Sequence, residues 1–172
     1  AQVWIKSTNA KVITFSIHDI RADFSAQNIT SKKEGYFNFS LVTPQGTIQI
    51  NLPLRGKHNI ANAVASAACA HTAGAQLQTI QNGLNNLTQV EGRMECTKLS
   101  SDLFLIDDSY NASPGSVKAA IDTLIEINGV SILVLGDMAE LGQDEIQLHA
   151  DIGKYAFDAG VDIFLAVGPL SF

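Results

Sequence analysis

The spacing of apolar residues in the first third of the chain is typical of β-strands. VWIKS (3–7) and VITFSI (12–17) combine β-branched and aromatic residues, which are enriched in strands. GYFNFSLVTPQGTIQINLPL (35–54) has an apolar residue at almost every second position on both sides of Pro-Gln-Gly. This alternation predicts a β-hairpin with a short turn, so residues 1–55 are predicted to be rich in β-structure.

From Gly56 onward the apolar positions recur every three or four residues, which is the period of a helix. GKHNIANAVASAACAHTAG (56–74) predicts a helix that ends at Gly74. Its apolar stripe consists of Ile60, Val64, Ala67, Ala68 and His71, where His71 is expected to be a core residue with its polar atoms satisfied. A second helix is predicted from the spacing of Leu77, Ile80, Leu84 and Leu87. TQVEGRME (88–95) has no clear period, so a domain boundary is predicted near residues 90–92, between a first part (1–90) and a second part (91–172).

The second part alternates apolar strands with amphipathic helices. LFLI (103–106), VSILVLG (130–136) and VDIFLAVG (161–168) are apolar almost throughout, and helical stripes separate them. This order predicts an α/β fold in which the three strands form a parallel sheet that is covered on both faces.

Three polar segments are candidates for a binding site. In such sheets, ligands bind beyond the carboxyl ends of the strands, where DDSYNASPGS (107–116) and GDMAELGQDE (136–145) are predicted to lie. The third segment is GKHNIAN (56–62), because helix N-termini attract polar ligands and Asn59 and Asn62 share one face of the first turn.

Each candidate segment also has a purely structural explanation. Ser113 and Pro114 can cap and begin a helix, the glycines of 136–145 can simply turn the chain, and Asn59 can be a helix cap. The cap does not account for the cluster of Asp107, Asp108, Tyr110 and Asn111. That cluster therefore favours a functional site.

Composition narrows the class of function. The net charge is -6, which argues against binding to nucleic acid or to anionic membranes. No apolar run reaches the roughly 18 residues of a membrane span.

The two cysteines lie far apart, so they are expected to be unpaired apolar filler in a reducing compartment. There is no phosphate-binding loop, and the four histidines lack metal-ligand spacing. Both ends of the chain look cut, so an excised piece of a longer protein is expected.

Four segments together resemble the Mur ligase family. They are LPLRGKHNIANAVASAACA (52–70), VEGRMEC (90–96), LIDDSYNASPGSVKAAIDTL (105–124) and VLGDMAELGQDEIQLHADIG (134–153). The resemblance is strongest to the member that adds D-Ala-D-Ala to UDP-MurNAc-tripeptide. That member usually has D-D-S-Y-N-A-N-P, and here Ser113 replaces the second Asn. Both residues are good helix caps, so the fold is expected to be unaffected.

The resemblance implies the end of a central ATPase domain (1–90) followed by a truncated Rossmann-like C-terminal domain (91–172). It implies ATP-dependent peptide-bond formation through an acyl phosphate in peptidoglycan synthesis. The phosphate loop and the Mg²⁺ ligands would lie upstream, outside this chain, so the chain alone is expected to be inactive. A monomer in the bacterial cytoplasm is also expected, with no nucleic-acid partner and no membrane insertion.

By the same resemblance, Asn59 and Asn62 would contact the adenine of ATP, Arg93 would approach the ribose and phosphates, and Asp108 would meet the ribose. Tyr110 and Asn111 would face the reaction zone, so Asp108, Tyr110 and Asn111 are the candidate catalytic residues. ATP would then bind between the two domains, and domain closure would assemble the site. Two alternatives remain open: a stand-alone nucleotide- or ligand-binding module without catalysis, and a structural interaction domain.

Overall fold

A computed structural model describes residues 6–32 and 35–171 of the chain. Residues 3–5 of the predicted strand VWIKS lie outside these ranges, and Lys6 and Ser7 are not in a strand. The described residues form a mixed α/β structure with one antiparallel-rich sheet, one antiparallel pair and one parallel pair of strands. The predicted α/β class is therefore confirmed.

The first part contains a four-stranded sheet in the order β1-β2-β3-β4. Its strands are β1 (Phe15–Ser16), β2 (Phe24–Ser31), β3 (Phe37–Thr43) and β4 (Gly46–Leu52). The predicted hairpin is confirmed, since β3 and β4 pair antiparallel around a two-residue turn, with Phe39 opposite Ile50 and Leu41 opposite Ile48. Strand β2 was not predicted individually, because FSAQNITS becomes polar after its first three residues.

Two helices pack on this sheet and close the first core. Helix α1 (His58–Thr72) packs on β2, and helix α2 (Leu77–Asn85) packs on β4. The predicted helical stripe is buried at all of its apolar positions. The largest buried side chains of this core are Phe24, Phe39, Leu41, Ile50 and Ile60.

Two expectations about single side chains are wrong. The ring of His71 lies against that of Phe24, with 5.4 Å between ring centroids, but its buried Nδ1 has no hydrogen-bond partner among residues 6–32 and 35–171. Cys69, expected to fill the core, is exposed because it lies on the outer side of α1. Both Cys69 and Cys96 are free thiols.

In the second part, the strand predicted from LFLI is real but its pairing differs from the prediction. Strand β6 (Phe104–Asp107) pairs antiparallel with β5 (Glu95–Lys98) and is not hydrogen-bonded to the parallel strands. The physical reason is proximity along the chain: ECTK and FLID are joined by a short loop, so they can pair without a long crossover.

The parallel pair consists of β7 (Ile132–Gly136) and β8 (Ile163–Val167). Helices α3 (Pro114–Ile125) and α4 (Glu145–Ala159) cover one of its faces, where Leu135 packs with Ile121 and Ile152. The prediction that both faces are covered is wrong for the described residues. The other face leaves five apolar side chains exposed: Ile132, Val134, Ile163, Leu165 and Val167.

Helix α3 joins the two parts of the chain. Thr123 on α3 is buried, and its side chain lies beside Gly35 and Gly56 of the first part. A Cβ built on Gly56 would lie 3.0 Å from Thr123 Oγ1, and one built on Gly35 would lie 3.6 Å from Thr123 Cγ2. This contact packs the residues just before α1 against the C-terminal part of α3.

Candidate functional site

A cleft of about 360 Å³ lies between the start of α1 and the loops that flank β5 and β6. The two parts of the chain both contribute to it. All six residues that the sequence singled out as site residues line this cleft: Asn59, Asn62, Arg93, Asp108, Tyr110 and Asn111. The structure therefore brings together side chains from distant positions in the sequence, from Asn59 to Asn111.

The start of α1 holds the two asparagines in a fixed relation. Asn59 is the second residue of the helix rather than its cap, because Lys57 occupies the cap position without a side-chain bond. The Asn59 Nδ2 donates to the carbonyl of Arg55 at 2.7 Å, and its Oδ1 accepts from Asn62 Nδ2 at 3.0 Å. Asn59 thus orients Asn62, whose exposed carboxamide oxygen remains open to a ligand.

Asp108 lies directly after β6 and is half-buried. Its Oδ1 accepts a hydrogen bond from the backbone N–H of Met94 at 3.0 Å. Burial raises the pKa of the Asp108 carboxyl, while the Met94 hydrogen bond and the charges of His58 and Arg93 act in the opposite direction. The carboxylate is therefore hydrogen-bonded to the segment before β5. It also interacts electrostatically with His58 from the first part of the chain and Arg93 from the second.

Arg93 and Tyr110 form a stacked pair at the edge of the cleft. The guanidinium carbon of Arg93 lies 4.4 Å from the centroid of the Tyr110 ring, a cation–π geometry. The backbone N–H of Tyr110 donates to the carbonyl of Gly92 at 3.0 Å. Gly92 has φ +67, and a Cβ there would lie 3.2 Å from the Tyr110 nitrogen, so this approach requires glycine.

The loop that carries Tyr110 and Asn111 ends in a capped helix, as predicted. Ser113 is the N-cap of α3 and Pro114 is its first residue. Ser113 Oγ accepts from the backbone N–H of Ser116 at 3.3 Å, and Ser116 Oγ accepts from the backbone N–H of Ser113 at 2.9 Å. This reciprocal cap fixes the end of the loop and leaves Asn111 exposed at the cleft.

His58 is a cleft residue that the sequence interpretation missed. It is half-buried, and burial lowers its pKa while the charge of Asp108 acts in the opposite direction. Its imidazole edge lies against Gly56, where a Cβ would come within 2.6 Å of Cε1. GKHN carries no periodic signal that would place this histidine at the cleft.

The other polar loop, residues 136–145, is outside the cleft and its side chains bind within their own part. Asp137 accepts backbone hydrogen bonds from Leu170 at 3.1 Å and Ser171 at 2.8 Å. The Nε2 of buried His149 accepts from the backbone N–H of Met138 at 2.9 Å, and its Nδ1 lies 2.7 Å from the Glu145 carbonyl. These contacts favour the structural interpretation of this loop.

The described residues contain neither a metal-binding cluster nor a membrane-spanning helix. No group of three or more His, Cys, Asp or Glu side chains in 6–32 and 35–171 could hold a metal ion. Within the same ranges, no helix has both the length and the apolar character needed to cross a membrane.

Known proteins match this chain in sequence over nearly its whole length. Residues 1–70 match the Mur ligase middle domain, and residues 92–171 match the Mur ligase glutamate ligase domain. The UDP-N-acetylmuramoyl-tripeptide–D-alanyl-D-alanine ligase of Escherichia coli K12 is 45% identical over 161 residues, which are 94% of this chain and 35% of that protein. The enzyme of the same name from Haemophilus influenzae is 40% identical over 85% of this chain and 32% of its own length.

Solved structures also match the fold of this chain over nearly its whole length. Crystal structure I of MurF from Acinetobacter baumannii superposes with a TM-score of 0.90 at 33% identity, over 99% of this chain and 36% of that one. MurF from Thermotoga maritima, solved in complex with ADP, has a TM-score of 0.76 at 22% identity, over 91% of this chain and 36% of that one, which shows the shared fold. The chain spans about a third of the length of these relatives. It belongs to the Mur ligase family.

Proposed function

We propose that this chain is part of an ATP-dependent ligase that adds D-Ala-D-Ala to UDP-MurNAc-tripeptide in bacterial peptidoglycan synthesis. The observation that carries the proposal is the cleft between the two segments that match Mur ligase domains, because six residues of the family's motifs line it. The 45% identity to the ligase of that name supports the choice of substrates. The domain boundary near residues 90–92, at the start of the second matched segment, remains part of the proposal.

The side chains of the cleft have the chemistry that a nucleotide requires. The Asn62 carboxamide can both donate to and accept from the edge of a base, and Arg93 offers a planar fork of donors to a phosphate. The free oxygen of Asp108 can accept from a sugar hydroxyl. When bound, ATP supplies the phosphoryl group that makes a substrate carboxylate reactive toward an amine.

The residues of this chain would act chiefly by positioning and charge. Arg93, stacked on Tyr110, would hold negative charge at the edge of the cleft, and Asn111 would lie beside it on the loop before α3. Fixed donors of this kind lower a barrier because they need no reorganisation during the reaction. The proposal also includes closure of the domains over the nucleotide, Mg²⁺ ligands that lie outside this chain, and a monomer in the cytoplasm.

The test is Asp108→Ala in the full-length protein. Ligation, followed as phosphate release that depends on both the tripeptide and the dipeptide, should fall at least about tenfold, since a hydrogen bond to a charged group contributes roughly 1.5–3 kcal/mol. Asp102→Ala is the matched control, because Asp102 is exposed in the loop between β5 and β6 and does not line the cleft. Unchanged ligation by Asp108→Ala would remove Asp108 from the site.

A stand-alone binding module is the second candidate, because this chain by itself forms a cleft lined by polar side chains from both of its parts. Calorimetry with ATP on the 172-residue chain separates the two candidates. The ligase proposal expects weak or undetectable binding, since most of the phosphate contacts would come from residues outside this chain. Micromolar affinity would instead favour the binding module.

A further inference from the structure

The loop that follows β7, residues 137–141, is joined to α4 through a buried histidine. The Nε2 of His149 accepts a hydrogen bond from the backbone N–H of Met138 at 2.9 Å, and its Nδ1 lies 2.7 Å from the Glu145 carbonyl. His149 is 6% exposed and Met138 is 1% exposed. The bond between the loop and α4 is therefore buried at both of its ends.

The two partners of the His149 ring determine where its proton lies. A backbone carbonyl only accepts hydrogen bonds, so Nδ1 must carry the proton that is shared with Glu145. A backbone N–H only donates, so Nε2 must be unprotonated in order to accept from Met138. Both bonds therefore exist together only in the neutral Nδ1–H form of the imidazole.

Protonation of the ring removes one of these two bonds. A second proton on Nε2 makes the ring a donor at both nitrogens, so Nε2 then faces the Met138 N–H without accepting from it. Met138 is buried, and a buried donor that has lost its acceptor is unfavourable. Histidine is the side chain that ordinarily changes its charge between about pH 5 and 8. The bond between the loop and α4 is therefore sensitive to mild acid.

The charged groups around the ring are compatible with a second proton. Asp137, at the start of the loop, interacts electrostatically with the imidazole, and Glu145 lies one turn before the ring on α4. The charged side chains of α3, Lys118 and Asp122, contact a tyrosine further along α4, and the residues of β7 carry no charge. The negative charge of Asp137 partly offsets that of a protonated ring, so the main local change is the lost bond to Met138.

Backbone strain at the tip of the loop makes this bond important for the shape of the loop. Glu140 has φ +60, a left-handed conformation that is unfavourable for a residue with a side chain. Glu140 is exposed, so core packing around its own side chain does not hold it there. The buried bond at Met138 and the packing of Leu141 on the core hold the loop on either side of Glu140. Loss of the bond at Met138 would favour a relaxed conformation.

We propose that His149 is a pH-sensitive latch for the loop after β7: the neutral ring holds residues 137–141 on α4, and protonation releases them. Asp137 also accepts from the backbone N–H groups of Leu170 and Ser171 after β8, which connects the latch to the neighbouring loop. Both loops lie at the carboxyl ends of the parallel strands. The inference does not rest on the proposed ligase activity, because none of these residues lines the cleft.

Hydrogen exchange of the full-length protein tests the latch. Exchange of the backbone amides of residues 137–141 is followed by mass spectrometry at about pH 7.5 and about pH 5.5, on either side of the ordinary titration of histidine. Each rate is divided by the intrinsic exchange rate at that pH, which gives a protection factor. Protection of this segment should fall about tenfold at the lower pH, as expected for the loss of one buried hydrogen bond.

Three variants separate the latch from a general effect of acid. His149→Gln can place its carbonyl oxygen near the position of Nε2 and does not titrate, so its protection should be the same at both pH values. His149→Leu has no acceptor for the Met138 N–H, so its protection should be about tenfold lower at both. His18→Gln is the matched control, because His18 is exposed in the first part of the chain. It should respond to pH as the unaltered protein does.

Either of two exchange results overturns the inference. One is equal protection of the unaltered protein at the two pH values, and the other is the same acid-induced loss in His149→Gln. If His149→Leu does not fold, the ¹⁵N spectrum of the histidines replaces it, with the His149 signal identified by its loss in His149→Gln. A neutral Nδ1–H form supports the latch, and an Nε2–H form overturns it. These readouts do not use ligation, so failure of the latch is distinguishable from failure of the proposed function.

Discussion

The guanidinium of Arg93 and the ring of Tyr110 face each other across the edge of the cleft, 4.4 Å from carbon to ring centroid. Arg93 precedes β5 and Tyr110 follows β6, so the pair spans the antiparallel hairpin that these strands form. Tyr110 is 68% exposed, and the Arg93 guanidinium packs on its ring. The stacking therefore orients a cation toward the cleft without burying it.

This stack predicts different effects for two substitutions of Tyr110. Tyr110→Leu should weaken ATP binding about two- to fivefold, because an exposed cation–π contact contributes roughly 0.5–1 kcal/mol. Tyr110→Phe retains the ring and should bind ATP normally. Titration calorimetry on the full-length protein measures both. If Tyr110→Phe binds ATP as weakly as Tyr110→Leu, the hydroxyl rather than the ring is the group that contributes to ATP binding.

A second prediction separates steric contact from backbone strain at glycines. Gly56 and Gly74 both have positive φ, at +86 and +94, but only Gly56 has atoms near the position of a Cβ. Gly74→Ala should lower the free energy of unfolding by about 1–2 kcal/mol from strain alone. Gly56→Ala should lower it by more, because the new methyl group collides with His58 and Thr123. Urea denaturation of both variants measures the difference, and equal losses would contradict the contact with His58.

The cap of α3 predicts a stability effect that depends on residue type. Ser113→Ala removes the acceptor for the Ser116 N–H and should lower the free energy of unfolding by about 1 kcal/mol. Ser113→Asn supplies another good cap and should be within a few tenths of a kcal/mol of the unaltered protein. Thermal unfolding under matched conditions distinguishes them. A large loss with Asn would mean that the hydroxyl bond to Ser116 cannot be replaced.

The contact between Asp162 and Ser131 predicts a dependence of stability on pH. The backbone N–H and the hydroxyl of Ser131 both donate to Asp162 Oδ2 at 2.8 Å, and these bonds lower the pKa of Asp162 below 3.8. A lowered carboxyl pKa stabilises the folded state above the ordinary pKa, and this stabilisation is lost as the pH falls below 3.8 through the lowered value.

Asp162→Asn should therefore be less stable than the unaltered protein at pH 6, with a smaller difference at pH 3. Urea denaturation at several pH values between 6 and 3 measures this difference. Asp158→Asn is the control on the surface of α4, where the carboxylate pairs with exposed Lys154. A difference for Asp162→Asn that does not change with pH would show that the charge of Asp162 is unimportant.

Local patterns predicted the local structure well. The alternation in residues 37–52 predicted the β3–β4 hairpin, and Ser113-Pro114 predicted the start of α3, because each depends on neighbours in the sequence. The pairing of β6 was mispredicted since ECTK has little apolar character and only its position next to FLID makes it a partner. The uncovered face of β7 and β8 was also missed, because apolar strands do not reveal which segments pack on them.

The candidate site was predicted in its residues and not in its contacts. The motifs identified six side chains that line one cleft, yet the roles assigned to them remain predictions. Sequence patterns could not reveal that Asn59 is occupied with Arg55 and Asn62, nor that His58 faces the cleft. The Asn59 bonds are local, but residue spacing does not reveal which partner a side chain takes. The position of His58 depends on how α1 meets the loop after β6, a long-range contact that has no periodic signal.

The bonds from Tyr110 to Gly92 and from Met94 to Asp108 have a mechanical consequence. They bond the segment 92–94 to the residues that follow β6, so we expect Arg93, Asp108 and Tyr110 to move together as one rigid unit. A pivot between the two parts would then have to lie before Gly92, in the irregular stretch that follows α2. A rotation about that pivot would change the distance from this rigid unit to Asn62 and His58, while the distances within the unit stay the same.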